Sequence, residues 1–294
     1  NFLNYKNSFG DHTLDVLVGT EATKNNFKGF GALRTGYLFE DPSFYLLSNG
    51  SGVPVIQYGN SNSSSIFSLL ATANWSYGGK YFATATVRKD DTSRFASATA
   101  DAIFPSVSGA WLASSEDWFD SSVFDTLKIR ASYGELGNQQ IGGSNLDVNI
   151  SNLSEGSGFY AFSGSGGATA GAVIASKGNP LLTWETMTST NFAIDAGFLD
   201  NKLTATIDVF SNETTGLVAQ DTQKISTTAI DASAPFTNLG AMKSTGFDLS
   251  LNYTNTTSSG ITYSINANAT RAKNEVTELI SDFYSGYSDR IGSM

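Results

Sequence analysis

The segment Leu127-Lys128-Ile129-Arg130-Ala131-Ser132-Tyr133 carries apolar side chains at its odd positions and charged or small polar ones at its even positions. An extended chain sends successive side chains to opposite faces, so this spacing predicts a strand with one apolar face and one wet face. The pattern recurs in Leu203-Thr204-Ala205-Thr206-Ile207-Asp208-Val209, in Phe247-Asp248-Leu249-Ser250-Leu251-Asn252-Tyr253 and from Ile261 to Ala269. Phe67 to Tyr77, Tyr81 to Arg88 and Phe192 to Phe198 repeat it. Strands are therefore expected near 3–9, 12–24, 64–77, 80–90, 104–114, 125–135, 184–198, 202–216, 239–254 and 261–276.

Alternation alone also fits a soluble antiparallel sandwich. The connections separate the two readings. Gly10-Asp11, Gly78-Gly79 and Leu199 to Asn201 are tight, and 115–124 and 255–260 are short. Between them lie a medium connection at 91–103, long ones at 25–63, 136–183 and 217–238, and a tail from 277. Short and long connections take turns, as they do in an outer-membrane barrel with turns at one rim and loops at the other.

Aromatic residues gather beside the short connections: Phe9, Tyr77, Tyr81, Trp111, Trp118, Phe119, Phe124, Phe198, Tyr253 and Tyr263. Tyr133 and Trp184 fall in the apolar phase at the far ends of their strands. Two such bands suit the two membrane interfaces. The phase between them carries Ile129, Ala131, Ile194, Ala196, Ala205, Ile207, Leu249, Leu251, Ile265 and Ala267. The other phase carries Asp15, Arg88, Lys128, Arg130, Asp195, Asp208 and Asp248. A charge at lipid depth costs about 2–4 kcal/mol and little on a wet lumen, which sorts the two sets. The expected fold is an all-β transmembrane antiparallel barrel, and Arg88, Lys128, Arg130, Asp195, Asp208 and Asp248 are the candidate lumen-lining residues.

Composition agrees. Of 294 residues only 15% are charged, while 29 are Gly, 20 Phe and 12 Tyr. A net charge of −10 disfavours nucleic acid as a partner, because phosphate contacts need Lys and Arg. With no cysteine there are no disulfides, thiolate metal sites or Cys nucleophile. No apolar run approaches the ~18 residues of a membrane-spanning helix, and Asn1 to Lys6 do not open a signal peptide.

Five blocks resemble the SusC-like TonB-dependent outer-membrane transporters, in the family's order. Val87-Arg88-Lys89-Asp90-Asp91-Thr92-Ser93-Arg94-Phe95 is similar to "R-x-D-G-S-S-R-F", with Asp91 in place of Gly. Phe104-Pro105-Ser106-Val107-Ser108-Gly109-Ala110-Trp111 resembles "F-P-S-V-S-x-x-W". Leu127 to Gln139 resembles "L-K-L-R-A-S-Y-G-x-T-G-N-Q", with Leu136 in place of Thr. Asn179-Pro180-Leu181-Leu182-Thr183-Trp184-Glu185 and Asn238-Leu239-Gly240…Thr245-Gly246-Phe247-Asp248-Leu249 complete the set.

The resemblance implies part of a plugged barrel of about 22 strands, with residues 1–294 one partial barrel domain and the plug outside it. It implies a Gram-negative outer-membrane location, lipid around the barrel, TonB acting through the plug, and a SusD-like surface lipoprotein as partner. The implied cargo is an oligosaccharide or a peptide, with no cofactor. The ending Asp289 to Met294 lacks the terminal aromatic residue of such barrels and reads as an interior part of a longer chain. Two rivals stay open at this point: a passive porin and a soluble β-rich glycan-binding or adhesin module.

No enzyme is expected. The single histidine, His12, follows a tight turn at the short-turn rim, without a nucleophile-base arrangement around it. Asp90-Asp91 reads as a charged strand-end loop offset by Arg88, Lys89 and Arg94, and Glu40-Asp41 as another solvated loop, without metal-ligand spacing. The long connections offer Phe44, Tyr45, Tyr58, Phe159, Tyr160, Phe162, Phe283, Tyr284 and Tyr287 as aromatics facing a substrate or a lid partner. The lumenal charges carry both signs on neighbouring strands and are expected to find partners on a plug.

Overall fold

A computed structural model describes residues 1–140, 150–160, 169–220 and 233–279. Its strands are β1 (Phe2–Phe9), β2 (His12–Leu33), β3 (Val55–Tyr77), β4 (Tyr81–Thr92), β5 (Asp101–Leu112), β6 (Thr126–Asn138), β7 (Asn152–Tyr160), β8 (Thr169–Ser176), β9 (Glu185–Phe198), β10 (Leu203–Gln220), β11 (Phe236–Thr256) and β12 (Thr262–Leu279). Ten of them form one antiparallel sheet in the order β1-β2-β3-β4-β5-β6-β9-β10-β11-β12, while β7 and β8 pair separately as a hairpin. Each strand bonds to its neighbour in sequence except where β6 passes directly to β9. The sheet is open, and one side of β1 and one side of β12 are unpaired among the described residues.

Each expected strand overlaps one in the sheet. The expected 25–63 loop does not survive: β2 and β3 stay paired from His12↔Tyr77 to Leu33↔Val55, leaving a loop only over 34–54. The physical reason is visible in the ladder. Through Ala22↔Phe67 one phase is apolar; beyond it Lys24 faces Ser65, and Asn26 faces Ser63. Where water wets both faces, hydrophobic alternation vanishes although the hydrogen bonds continue. In the same way Asp90 and Asp91 lie within β4 and not in a loop.

The short turns carry the conformations such hairpins require. Gly78 and Gly79 have φ of 58° and 66°, the left-handed pair of a two-residue turn whose twist matches its strands. Leu199, Asp200 and Asn201 reach φ of 59°, 57° and 56° without glycine. That costly backbone is held by Asp125, whose carboxylate accepts from the Asn201 N–H at 3.0 Å, and by Thr126, which donates to the Asn201 side chain at 2.8 Å.

The register aligns the apolar phases into one band. Ile129 faces Trp111 and Ile194, Ile194 faces Ile207, and Ile207 faces Leu249. The band starts at His12, Tyr77, Tyr81, Trp111, Tyr253 and Tyr263 and ends near Phe67, Phe192 and Phe247. Its side chains are bare: Ile207 is 51% exposed and Val107 53%. A water-soluble monomer seldom leaves so continuous an apolar surface uncovered. Trp184 departs from the expected second aromatic band. It precedes β9 and is 7% exposed, buried with Phe95, Phe104 and Leu182.

We predict that charge will be tolerated on one face only. In refolding titrations of the full-length protein in lipid vesicles, Ile207→Arg should lose about 2–4 kcal/mol while Ser250→Arg, in the opposite phase, stays within about 1 kcal/mol. Equal losses would contradict the apolar face as the lipid face.

Candidate functional site

The opposite face of the sheet is polar, and the structure places all six candidate lumenal residues on it. At its centre Arg130 donates to Asp195 through Nε at 2.7 Å and Nη2 at 3.0 Å, a bidentate pair from adjacent strands. Thr206 on β10 adds a third donor to Asp195 at 2.9 Å. Lys128 lies opposite Asp195 in register, but that carboxylate is committed, and Lys128 instead sits 5.5 Å over the Phe82 ring. Asp208 accepts from the Asn191 amide and faces Asp248 directly across β10–β11. Two like charges in that position repel unless something cationic joins them.

Arg88 forms a second cluster nearer the long-loop rim. Its Nε donates to Asp90 at 2.8 Å and its Nη2 to the buried Ser68 hydroxyl at 2.9 Å, with Glu21 3.4 Å away. Asp90 is 6% exposed, so the pairing is what allows a carboxylate to sit there. The expectation that these charges wait for partners on a plug is thus corrected for three of the six. Arg88, Arg130 and Asp195 are satisfied within the sheet. Lys128, Asp208 and Asp248 have no ion pair among the described residues.

At the long-loop rim the five sequence blocks converge. Trp184 packs edge-on against Phe95 at 5.6 Å and Phe104 at 5.5 Å, over Leu182, and its indole N–H donates to the Ala100 carbonyl at 3.1 Å. Gly137 lies against the Phe104 ring, where a Cβ would collide with it. Thr92 donates to Gln139. Asn238 accepts from the Thr183 N–H at 3.0 Å and donates to the carbonyls of Thr183 at 3.1 Å and Gly216 at 2.8 Å. Glu185 accepts from the Val218 N–H and from Asn138, both at 2.7 Å. The blocks therefore staple together the loop-side ends of five strands, a role that spacing along the chain does not disclose.

Residues 1–290 match the family described as TonB dependent receptor-like, beta-barrel. The chain belongs to this family. It is 30% identical over 95% of its length to TonB-dependent receptor P3 of Formosa agariphila, and covers 27% of that protein. It is 27% identical over 99% of its length to TonB-dependent receptor SusC of Bacteroides thetaiotaomicron, covering 28% of it. Among solved structures, that of the RagAB peptide transporter superposes with a TM-score of 0.78 at 26% identity, over 95% of this chain and 30% of that one. The chain thus spans about a quarter of the length of the curated relatives it matches. It is a SusC-like barrel segment of the Gram-negative outer membrane, with its apolar band toward lipid.

Its long-loop rim is the extracellular one in barrels of this kind. The 34–54 loop there is ordered from within. Arg34 donates to the Gly52 carbonyl at 3.0 Å and the Leu47 carbonyl at 2.9 Å. Asp41 caps a short 3-10 turn at Pro42–Phe44, accepting from Ser43. Tyr45 stacks at a tilt on Tyr37, and Phe44 on Phe39, each pair 5.2 Å apart. The Tyr58 backbone lies in β3, and those of Phe159 and Tyr160 in β7. Phe162, Phe283, Tyr284 and Tyr287 lie outside the described residues.

At the periplasmic rim, Glu116 ties the interfacial aromatics to a turn. It accepts from the Tyr81 hydroxyl, from the Trp111 indole at 3.0 Å and from Lys80 at 3.1 Å. The Tyr81 and Trp111 donors, with Lys80, hold its carboxyl below the usual carboxylate range despite desolvation. His12 belongs to the same aromatic belt: its Nδ1 accepts from Trp75 at 3.1 Å, and its ring lies 4.6 Å from that of Tyr77.

Two outcomes follow. Trp184→Ala should destabilise the folded barrel by about 3–5 kcal/mol, and Trp184→Phe, which forfeits mainly the bond to Ala100, by about 1 kcal/mol beyond its repacking. Parent-like stability of Trp184→Ala in chemical unfolding would remove the staple. For Glu116 the folded pKa is depressed, so its contribution is present above the ordinary carboxylate pKa and lost as pH falls through the folded value. Glu116→Gln should therefore be less stable than the parent at neutral pH, and the gap should close in acid below the usual carboxylate range. A gap independent of pH would show that the ionised carboxylate is not what matters.

Proposed function

We propose that this barrel segment serves TonB-dependent import of an oligosaccharide or a peptide across the outer membrane. A SusD-like surface lipoprotein covers the extracellular end, and TonB acts through a plug region. The observation that carries the reading is the family match over residues 1–290, joined to a polar face with charges left for a partner. Lys128, Asp208 and Asp248 offer one cation and two carboxylates where a plug would sit. The relatives named for TonB dependence and for peptide transport support the same reading.

The protein acts as a carrier and not as an enzyme. Its one imidazole is engaged in the aromatic belt, where Trp75 donates to it. A passive porin is the competing reading, and energy dependence separates the two. Cells carrying the full-length protein should lose uptake of its labelled oligosaccharide or peptide cargo when TonB is deleted, down to the level of cells lacking the transporter. Uptake that continues without TonB would make the barrel a passive pore.

A further inference from the structure

The β2–β3 hairpin rises far above the membrane and ends in an apolar surface. The lipid-facing phase of β2 stops at Ala22, where Lys24 follows in the same phase, yet the strand continues paired to Leu33. Those ~11 further residues, at about 3.3 Å each and tilted by about 45°, lift the loop roughly 25 Å beyond the hydrocarbon. Between Leu38 and Ile56, nine large apolar residues are 45–86% exposed, Leu38 at 86% and Val53 at 83% among them. At on the order of 100 Å² each, this patch approaches the roughly 800 Å² that one partner contributes to a specific protein interface.

Several occupants can be weighed. Lipid is out of reach at that height. A sugar would use flat ring faces flanked by planar polar groups, but Tyr37 and Tyr45, and Phe39 and Phe44, lie against each other, and much of the rest is aliphatic. The loop is braced by Arg34 and by the Asp41 cap, so its apolar side chains are presented on an ordered frame. Charge decides between a second copy and another protein. Arg34 is spent on backbone carbonyls, which leaves Glu40 and Asp41 as the charges at the tip, on a chain of net charge −10. Two copies would bring these acids together.

Resting on the import reading above, we propose that the 34–56 tip is the docking surface for the extracellular lipoprotein lid. The contact is made by Leu38, Phe39, Tyr45, Leu46, Leu47 and Val53. The complementary chemistry is an apolar cleft bordered by Lys or Arg.

The test uses the full-length transporter in living cells, co-expressed with its lipoprotein, with a photo-crosslinking amino acid at Tyr45 and, as control, at Thr257 on the opposite rim. Tyr45 should give one adduct, identified by mass spectrometry as the lipoprotein, and Thr257 should give none with it. Leu38→Asp combined with Leu47→Asp should cut the adduct at least tenfold, while heat-modifiable gel migration reports an intact barrel. Should that variant fail to assemble, the parent adduct still decides. An adduct with a second transporter, with lipid or with any other protein, or no adduct at all, would overturn the proposal. TonB dependence of uptake in the same cells keeps the two readings apart. Loss of the adduct with TonB-dependent uptake intact sinks the docking surface alone, whereas an adduct with TonB-independent uptake sinks the import reading.

Discussion

A strand that crosses a bilayer must satisfy every backbone N–H and C=O with another strand, because hydrocarbon offers no hydrogen bonds. The rest of this molecule follows from that constraint. Ten strands run in unbroken antiparallel register, and where the 139–184 excursion interrupts the chain, β6 pairs with β9 so that the ladder does not. With the backbone accounted for, side chains are free to sort by face. Ile194, Ile207 and Leu249 line one side, and Arg130, Asp195 and Asp208 the other. The same constraint makes the unpaired sides of β1 and β12 costly in lipid. An arc covering about a quarter of its relatives' length meets that cost when further strands continue the wall.

Much of this was legible in the sequence because period two is a direct record of two solvents on two faces. Leu127 to Tyr133 reads as a strand for the same reason that it is one. Legibility stops where both faces meet one solvent. Residues 25–33 and 55–63 are strand, yet Asn26 opposite Ser63 and Lys28 opposite Ser61 give no contrast to read. Trp184 shows the converse limit. Its phase placed it at the membrane interface, but it lies just before β9 and folds inward against Phe95 and Phe104, contacts that are long-range and unmarked by local spacing.

The candidate site was legible as a set of residues and not as a set of partnerships. Alternation assigned Arg88, Lys128, Arg130, Asp195, Asp208 and Asp248 to one face. Only register shows that Arg130 takes Asp195 away from Lys128, and that Asp208 and Asp248 confront each other. The five sequence blocks gather around Trp184 and Asn238 to lock the extracellular ends of the strands. The scaffold is thereby held rigid beneath the loops, where an exposed and braced tip can meet another molecule.

The central claim is that one face of this sheet meets lipid and the other meets water, and spin labels can test it residue by residue. Labels at each position from Leu203 to Glu213, one per variant of the full-length protein in lipid vesicles, would be probed with oxygen and with a water-soluble nickel chelate. The account predicts period-two accessibility, with oxygen favoured at Ala205, Ile207 and Val209 and the chelate at Thr206, Asp208 and Phe210. Chelate access at all positions alike, or oxygen access peaking on the even positions, would contradict it.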